Sequence, residues 1–378
     1  MTCFTREIPL TQKDCEEMSL FDEGTIFYDI ETTGLSSKRN FIYLIGCACR
    51  KEQTLCIRLF FAESRMQEAE ILTSFFSFLS SFQKTISFNG LGFDLPFLLA
   101  RSLHHNLPDD DRVHLQNMTH YDLLVEARRF KKMLSLSSCR QKAIEEFLGI
   151  SREDRYSGGE LISCYLSYEK SPSKEAEELL LLHNYEDVLG MTRLLPLAAY
   201  SCLPDGRFAV ADCQVNPYTD SDGAPAKELR ATLTLPDFLP REIFCHADDQ
   251  VHLAASGRCA RIRIRIFKGT LRHFYSDYQN YYYLPKEDMA IHKSVAAYVD
   301  RSCRQKATAQ TCYTPYFGLF LPDFSSQDKN TPFAPSRLRF QESYHTKEPY
   351  LALTEDFLSD PVLVKEYLSL AVRIACNS

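Results

Sequence analysis

The sequence predicts an α/β domain followed by an α+β domain. Three observations carry this. Residues 25–61 hold three short apolar runs separated by turn signals, and strand-to-helix passages follow. The chain then turns irregular at residues 204–225, with Asn216-Pro217 and Asp220-Ser221-Asp222-Gly223. Beyond that break the pattern is mostly strict alternation, as in Arg261-Ile262-Arg263-Ile264-Arg265-Ile266-Phe267. The expected division is 1–200, a linker at 201–225, and 226–378. A chain of 378 residues is long enough for two cores of ordinary size.

Taken in order, residues 1–24 show no strong period. The first strand is Thr25-Ile26-Phe27-Tyr28-Asp29-Ile30-Glu31, closed by Thr32-Thr33-Gly34. Because side chains alternate along a strand, Asp29 and Glu31 leave the same face about 6.6 Å apart, at about 3.3 Å of rise per residue. Buried carboxylates need partners, so positive charge is expected there. Residues 41–49 and 55–61 complete a meander, and 68–82 has helical spacing in Ile71, Leu72, Phe75, Phe78, Leu79 and Phe82. A short strand at 85–88 ends at Asn89-Gly90, and a helix opens near Asp94, with Pro96 in its first turn. Asp109-Asp110-Asp111 reads as a solvated loop, and residues 120–124 as a strand running into a helix, where Asp122 serves as a cap or as an acid supporting the ligands rather than as a ligand itself. A helix capped at Ser137-Ser138 stops at Gly149. The Ser157-Gly158-Gly159 loop then leads into a helix at 161–168. The last helix of the domain, 174–195, puts His183 and Asp187 one turn apart on one face. In the second domain, residues 229–235 and 281–284 read as strands, and 290–305 and 357–374 as amphipathic helices, the former with Ile291, Val295, Tyr298 and Val299 inward.

Composition narrows the function. With 45% hydrophobic and 25% charged residues the chain reads as globular. Its longest apolar runs, such as 41–48, fall far short of the about 20 residues a membrane helix needs, and the N-terminus has no signal pattern. A soluble, cytoplasmic protein is the expectation. The fourteen cysteines lack paired zinc spacing and read as reduced thiols. The net charge of −7 lies wholly in residues 1–204, with 22 basic and 29 acidic side chains, whereas 205–378 holds 21 of each. Residues 258–306 alone carry 11 basic and 4 acidic side chains. An acidic first half suits cations, and a basic band suits a polyanion.

Asp29, Glu31, Asp94 and Asp187 place four carboxylates on three elements. Two like charges about 4 Å apart repel by roughly 4 kcal/mol at an effective dielectric near 20, so the cluster calls for cations. Two divalent ions balance it, and all-oxygen ligation points to Mg²⁺ or Mn²⁺ serving phosphodiester displacement.

The Asp29-Ile30-Glu31-Thr32-Thr33-Gly34 stretch resembles the first motif of the DEDD 3′–5′ exonucleases of the ribonuclease H-like superfamily. Asn89-Gly90-Leu91-Gly92-Phe93-Asp94-Leu95-Pro96 resembles the second, and His183-Asn184-Tyr185-Glu186-Asp187-Val188 the third. With His120-Tyr121-Asp122-Leu123 and Leu148-Gly149-Ile150, the order is similar to the YprB-type branch, over about residues 25–196. The resemblance implies a ribonuclease H-like three-layer fold with a mixed central sheet. It implies that Asp29 bridges two metals, that Glu31 and Asp187 complete the first site, and that Asp94 holds the second. By it, His183 orients or deprotonates the attacking water and Asn89 contacts the nucleic acid. One feature departs from the pattern: a base His there precedes the last Asp by five positions and a base Tyr by four, whereas His183 precedes Asp187 by four. That turns the ring by about 100° on a helix, and Tyr185 lies on another face.

Arg261, Arg263 and Arg265 share one strand face, with Tyr275 and Tyr278 nearby in sequence, the combination of charge and stacking surface that single-stranded nucleic acid uses. An exposed antiparallel face alternates in the same way without a ligand. The functional expectation is a metal-dependent 3′–5′ exonuclease-like hydrolase. A nucleic-acid-binding or scaffold protein with a weak site and a structure-selective endonuclease are the alternatives.

Overall fold

The computed structural model describes all residues except 13, 15–20, 155, 157, 221, 327–332 and 334–336. The chain forms two compact units, residues 1–131 with 135–198, and 132–134 with 199–378. Among the described residues no helix is long and apolar enough to cross a membrane.

The first unit is built on six strands: β1 (Thr2–Pro9), β2 (Thr25–Thr32), β3 (Ile42–Lys51), β4 (Thr54–Phe61), β5 (Lys84–Ser87) and β6 (Thr119–Asp122). Their spatial order is β1-β4-β3-β2-β5-β6. The first four pair antiparallel, while β5 and β6 run parallel to β2, so the sheet is mixed. Residues 2–9 carry no readable period because β1 is an edge strand whose side chains are mostly exposed.

Helices cover both faces. Ile26, Tyr28 and Ile30 of β2 pack into a core with α1 (Glu68–Leu79), α2 (Asp94–His104) and α3 (Asp109–Asn117). The opposite face of β2 carries Asp29 and Glu31. It is covered by α7 (Lys174–Arg193), after α4 (Leu123–Phe130), α5 (Gln141–Leu148) and α6 (Gly158–Tyr168). Tyr165 of α6 stacks on Tyr43 of β3 with ring centroids 4.0 Å apart.

Three local expectations are corrected. Asp109, Asp110 and Asp111 are not a loop but the first turn of α3, where negative charge meets the positive end of the helix dipole. Helix α5 starts at Gln141 after Arg140, with no side-chain cap; Ser138 Oγ accepts instead from the Arg140 N–H at 3.4 Å. Its stop at Gly149 is a left-handed residue with φ 78°. Gly158 and Gly159 belong to α6 rather than to a loop, and Ser157 lies outside the described residues.

The second unit is dominated by a long hairpin, β8 (Pro225–Ala247) and β9 (Val251–Phe274). It is joined by β7 (Ala209–Thr219) on one side and β13 (Tyr313–Pro322), β15 (Tyr350–Ala352) and β14 (Arg339–Phe340) on the other. A second small sheet holds β10 (Tyr281–Leu284), β11 (Met289–His292) and β12 (Gln305–Lys306). The stretch 204–225, expected to be irregular, thus contains an eleven-residue strand. Asn216-Pro217 misled because proline is tolerated on an edge strand, and among the described residues β7 pairs only with β8. The helix expected over 290–305 is also absent: β11 is followed by the single turn α8 (Lys293–Ala296), and Val295 and Tyr298 are 56% and 92% exposed. Pairing of Ile291 with Tyr282 overrides the local helical period. At the C-terminus the predicted helix is split into α9 (Glu355–Ser359) and α10 (Pro361–Asn377). Asp360 lies between them and accepts from the N–H groups of Val362 and Leu363.

Candidate metal centre

The site begins at β2. A strand places Asp29 and Glu31 on one face, and the sheet sets them opposite Gly46 and Leu44 of β3. The ladder shifts register between Glu31 and Thr32, and Tyr43, the extra residue of that bulge, hydrogen-bonds to Glu31. Next to β2, the parallel strand β5 leads into the Asn89–Asp94 turn. There Asn89 adopts φ 64°, and Asp122 takes the N–H groups of Asn89 (2.8 Å), Leu91 (3.2 Å) and Leu124 (2.9 Å). Asp122 is therefore a cap that shapes the turn, one of the two roles, cap or support behind the ligands, that its position in the sequence left open. The turn delivers Asp94, 4% exposed, whose Oδ1 accepts from the Ile30 N–H at 3.0 Å.

Helix α7 supplies the rest. Asn184 donates through Nδ2 to Asp29 Oδ2 at 2.8 Å. Its amide fits only because residue 46 is glycine: a Cβ there would lie 1.9 Å from Asn184 Oδ1. Asp187 Oδ1 is held by the Arg152 guanidinium, whose other nitrogens grip the carboxylate of Glu145. Gly190 leaves the space for that pair, since a Cβ there would meet Glu145 Oε1 at 2.2 Å. Asp29, Asp94 and Asp187 are thus each tethered through one oxygen to the fold.

His183 enters the same cluster. Its Nε2 lies 3.2 Å from Asp187 Oδ2 and 3.4 Å from Glu31 Oε1, while Nδ1 is 2.8 Å from Asp154 Oδ2. Donor atoms of Glu31, His183 and Asp187 all fall within 4.8 Å of one another. Asp29 and Asp94 lie outside this tightest group but within its electrostatic reach.

Charge in the cluster is out of balance. Burial, then the charges of Asp94, Asp187 and Glu31, push the Asp29 carboxyl well above the usual range. Burial and the charges of Asp187 and Asp94 do the same to Glu31, against the hydrogen bond from Tyr43. Asp94 is raised to about 7 by burial, opposed by the Ile30 N–H and its own N–H and reinforced by Asp122 and Asp187. Asp154 behaves oppositely. Burial would raise it, but the Tyr156 N–H, His183 and Lys142 together hold it below the ordinary value. Among the described residues, four converging acids meet one guanidinium, itself shared with Glu145, and so form a site for added positive charge.

Residues 26–198 match the family model described as RNase_H superfamily. This span is an RNase H-like domain. Comparison with curated proteins finds no match. Among solved structures, similarity is found to the family B DNA polymerase of Pyrobaculum calidifontis, with 17% identity, 48% of this chain, 25% of that chain and a TM-score of 0.38. It is also found to E. coli exonuclease I in complex with a dT13 oligonucleotide (11% identity, 56% and 54% covered, TM-score 0.29). A zinc-bound E. coli exonuclease I complex with ssDNA is similar at 13% identity, with 56% and 54% covered and a TM-score of 0.28. The chain spans about a quarter of the polymerase and about half of exonuclease I.

Within the RNase H-like domain, the structure gathers Glu31, His183 and Asp187 tightly, with Asp29 on the same strand as Glu31 and Asp94 at the start of α2. Tyr185 instead lies under the Arg6 guanidinium, 5.0 Å from its ring centroid. Asn89 is exposed at the tip of its turn. In the second unit Arg261, Arg263 and Arg265 are exposed while Ile262, Ile264 and Ile266 are buried. Sequence reasoning missed Gly46, Asp154, Arg152 and Glu145, and gave Asn184 no role. Gly46, a glycine inside an apolar strand, was a readable sign of close approach. The loop arginine Arg152 carried no signal.

Proposed function

We propose that this chain is a divalent-metal-dependent hydrolase of nucleic acid phosphodiester bonds that acts from a 3′ end. The observation that carries the reading is the excess of tethered carboxylate charge, Asp29, Glu31, Asp94 and Asp187, at the end of β2 in an RNase H-like domain. The donor set fits Mg²⁺ or Mn²⁺, because hard oxygens predominate and Asp29, Asp94 and Asp187 are each held through one oxygen, which leaves the other for an ion. When bound, such ions supply charge neutralisation and a water of lowered pKa.

The chain's own groups do the positioning. Asn184 turns Asp29, the Ile30 N–H turns Asp94, and Arg152 turns Asp187. Burial keeps these carboxylates poorly solvated, so they favour cations strongly. Exposed Arg261, Arg263 and Arg265 would contribute phosphate contacts through the second unit. One observation favours a second reading, a nucleic-acid-binding protein with a slow site: Arg152 already neutralises Asp187.

The test is incubation of the full chain with 5′-labelled single-stranded DNA and RNA in Mg²⁺ or Mn²⁺, beside Asp29→Ala. A descending ladder lost in the variant is expected. Discrete internal products would indicate an endonuclease, and retarded but intact strands the binding protein. A ladder that survives Asp29→Ala would overturn the site.

A further inference from the structure

We propose that His183 is a direct metal ligand, forming with Glu31 and Asp187 a mixed nitrogen–oxygen site selective for Mn²⁺ over Mg²⁺. The inference rests on the nuclease reading only for the presence of metal. Its geometry comes from the chain. Spacing of four on α7 stacks His183 and Asp187 one turn apart, and Glu31 meets them from β2. Donors about 2.1 Å from a common ion stand about 3.0 Å apart in octahedral geometry and about 3.4 Å apart in tetrahedral geometry. The observed separations of His183 Nε2 from Asp187 Oδ2 and Glu31 Oε1, 3.2 and 3.4 Å, fall in that window. A general base would stand farther out, with a water between its nitrogen and the ion.

The other ring nitrogen completes the case. Nδ1–H donates to the Asp154 carboxylate at 2.8 Å, and Asp154 is in turn held by Lys142 Nζ at 3.1 Å and the Tyr156 N–H at 3.0 Å. Metal-bound histidines are commonly supported in this way, with the lone pair of the far nitrogen turned inward. The Asp154 backbone N–H is itself fixed by Glu186 of α7 at 2.8 Å, so the loop and helix hold the ring together. A nitrogen donor shifts preference from Mg²⁺ toward the transition metals.

Mn²⁺ bound to the full-length protein is examined by electron spin echo spectroscopy, with Mn²⁺ and Mg²⁺ affinities from competition titration. Expected are nitrogen-14 modulation from a directly bound imidazole and at least tenfold tighter binding of Mn²⁺. In His183→Gln the modulation disappears, Mn²⁺ affinity falls about tenfold, and Mg²⁺ affinity changes less than threefold. Bound Mn²⁺ without nitrogen modulation in the unaltered protein would overturn the assignment, whether or not the variant folds. Strand cleavage scored on the same samples separates the two readings: modulation without cleavage upholds the ligand and overturns the nuclease.

Discussion

Two groups of buried or half-buried acids lie in the first unit, and they are built differently. Glu68, 1% exposed, accepts from the Ile42 N–H (2.8 Å), twice from Arg101 (2.8 and 2.5 Å), and pairs with His105 at 2.7 Å. Arg101 also donates to the Ser37 carbonyl at 3.1 Å, so this carboxylate pins the loop that follows β2. At the end of β2, by contrast, Asp29, Glu31, Asp94 and Asp187 share, among the described residues, one guanidinium and one imidazole. Both groups are desolvated, and only the first is balanced. The difference teaches that burial of an acid marks structure when its charge is met inside the chain, and marks a site when it is not.

The largest expected effect tests that contrast at its functional pole. Asp29→Asn should lower metal-dependent cleavage by at least about a thousandfold, since ions at such sites contribute several kcal/mol. The melting temperature of the metal-free protein should hold or rise, because a repelling charge is gone. Equal losses of stability and activity would dissolve the distinction. At the structural pole, Arg101→Ala strands Glu68 without its guanidinium and should cost about 3–5 kcal/mol in denaturant unfolding. A cost below about 1 kcal/mol would show the two groups to be energetically alike.

A smaller effect concerns pH. The Asp94 carboxyl is held at about 7 in the fold, and Asp29 and Glu31 are also raised, so the folded state binds more protons than the unfolded one above about pH 4. Between pH 5 and 7.5, above the window of the carboxylates whose pKa is lowered in the fold, stability of the metal-free protein should therefore fall as pH rises, the Asp94 contribution being lost as pH passes about 7. Added Mn²⁺ should restore it at pH 7.5, and Asp94→Asn should flatten the slope. Melts that rise steadily from pH 5 to 7.5 without metal would contradict this sign.

The smallest effect lies in the second unit. Reversing charge at Arg261, Arg263 and Arg265 should weaken single-strand binding and reduce its logarithmic salt slope by about 2, at about 0.7 per phosphate contact. An unchanged slope would leave those arginines as a solvated strand face.

Much of the acidic site is legible in the chain because a strand's period of two forces Asp29 and Glu31 onto one face, where apolar neighbours exclude water. His183 and Asp187 could be placed by the same reasoning on a helix, yet the consequence of their spacing could not. The expected rotation of the ring away from the reaction becomes, in three dimensions, an approach to Glu31. Arg152 was illegible because its partners Glu145 and Asp187 come from separate helices, and no local pattern records such a meeting. Gly46 could have been read, since a glycine amid Leu44, Ile45, Cys47 and Ala48 weakens a strand unless another group needs its space. In the second unit, Ile291 and Val295 kept helical spacing while strand pairing to Tyr282 decided the outcome. Local period loses wherever a neighbouring strand offers a full ladder.

The most direct measurement is a calorimetric titration of the full-length, metal-stripped protein with Mn²⁺ at pH 7.5, beside Asp29→Ala. The charge imbalance at β2 predicts two ions per chain in the unaltered protein and loss of at least one in the variant, with Arg101→Lys retaining both. No binding below millimolar Mn²⁺, or identical titrations for the unaltered protein and Asp29→Ala, would contradict it.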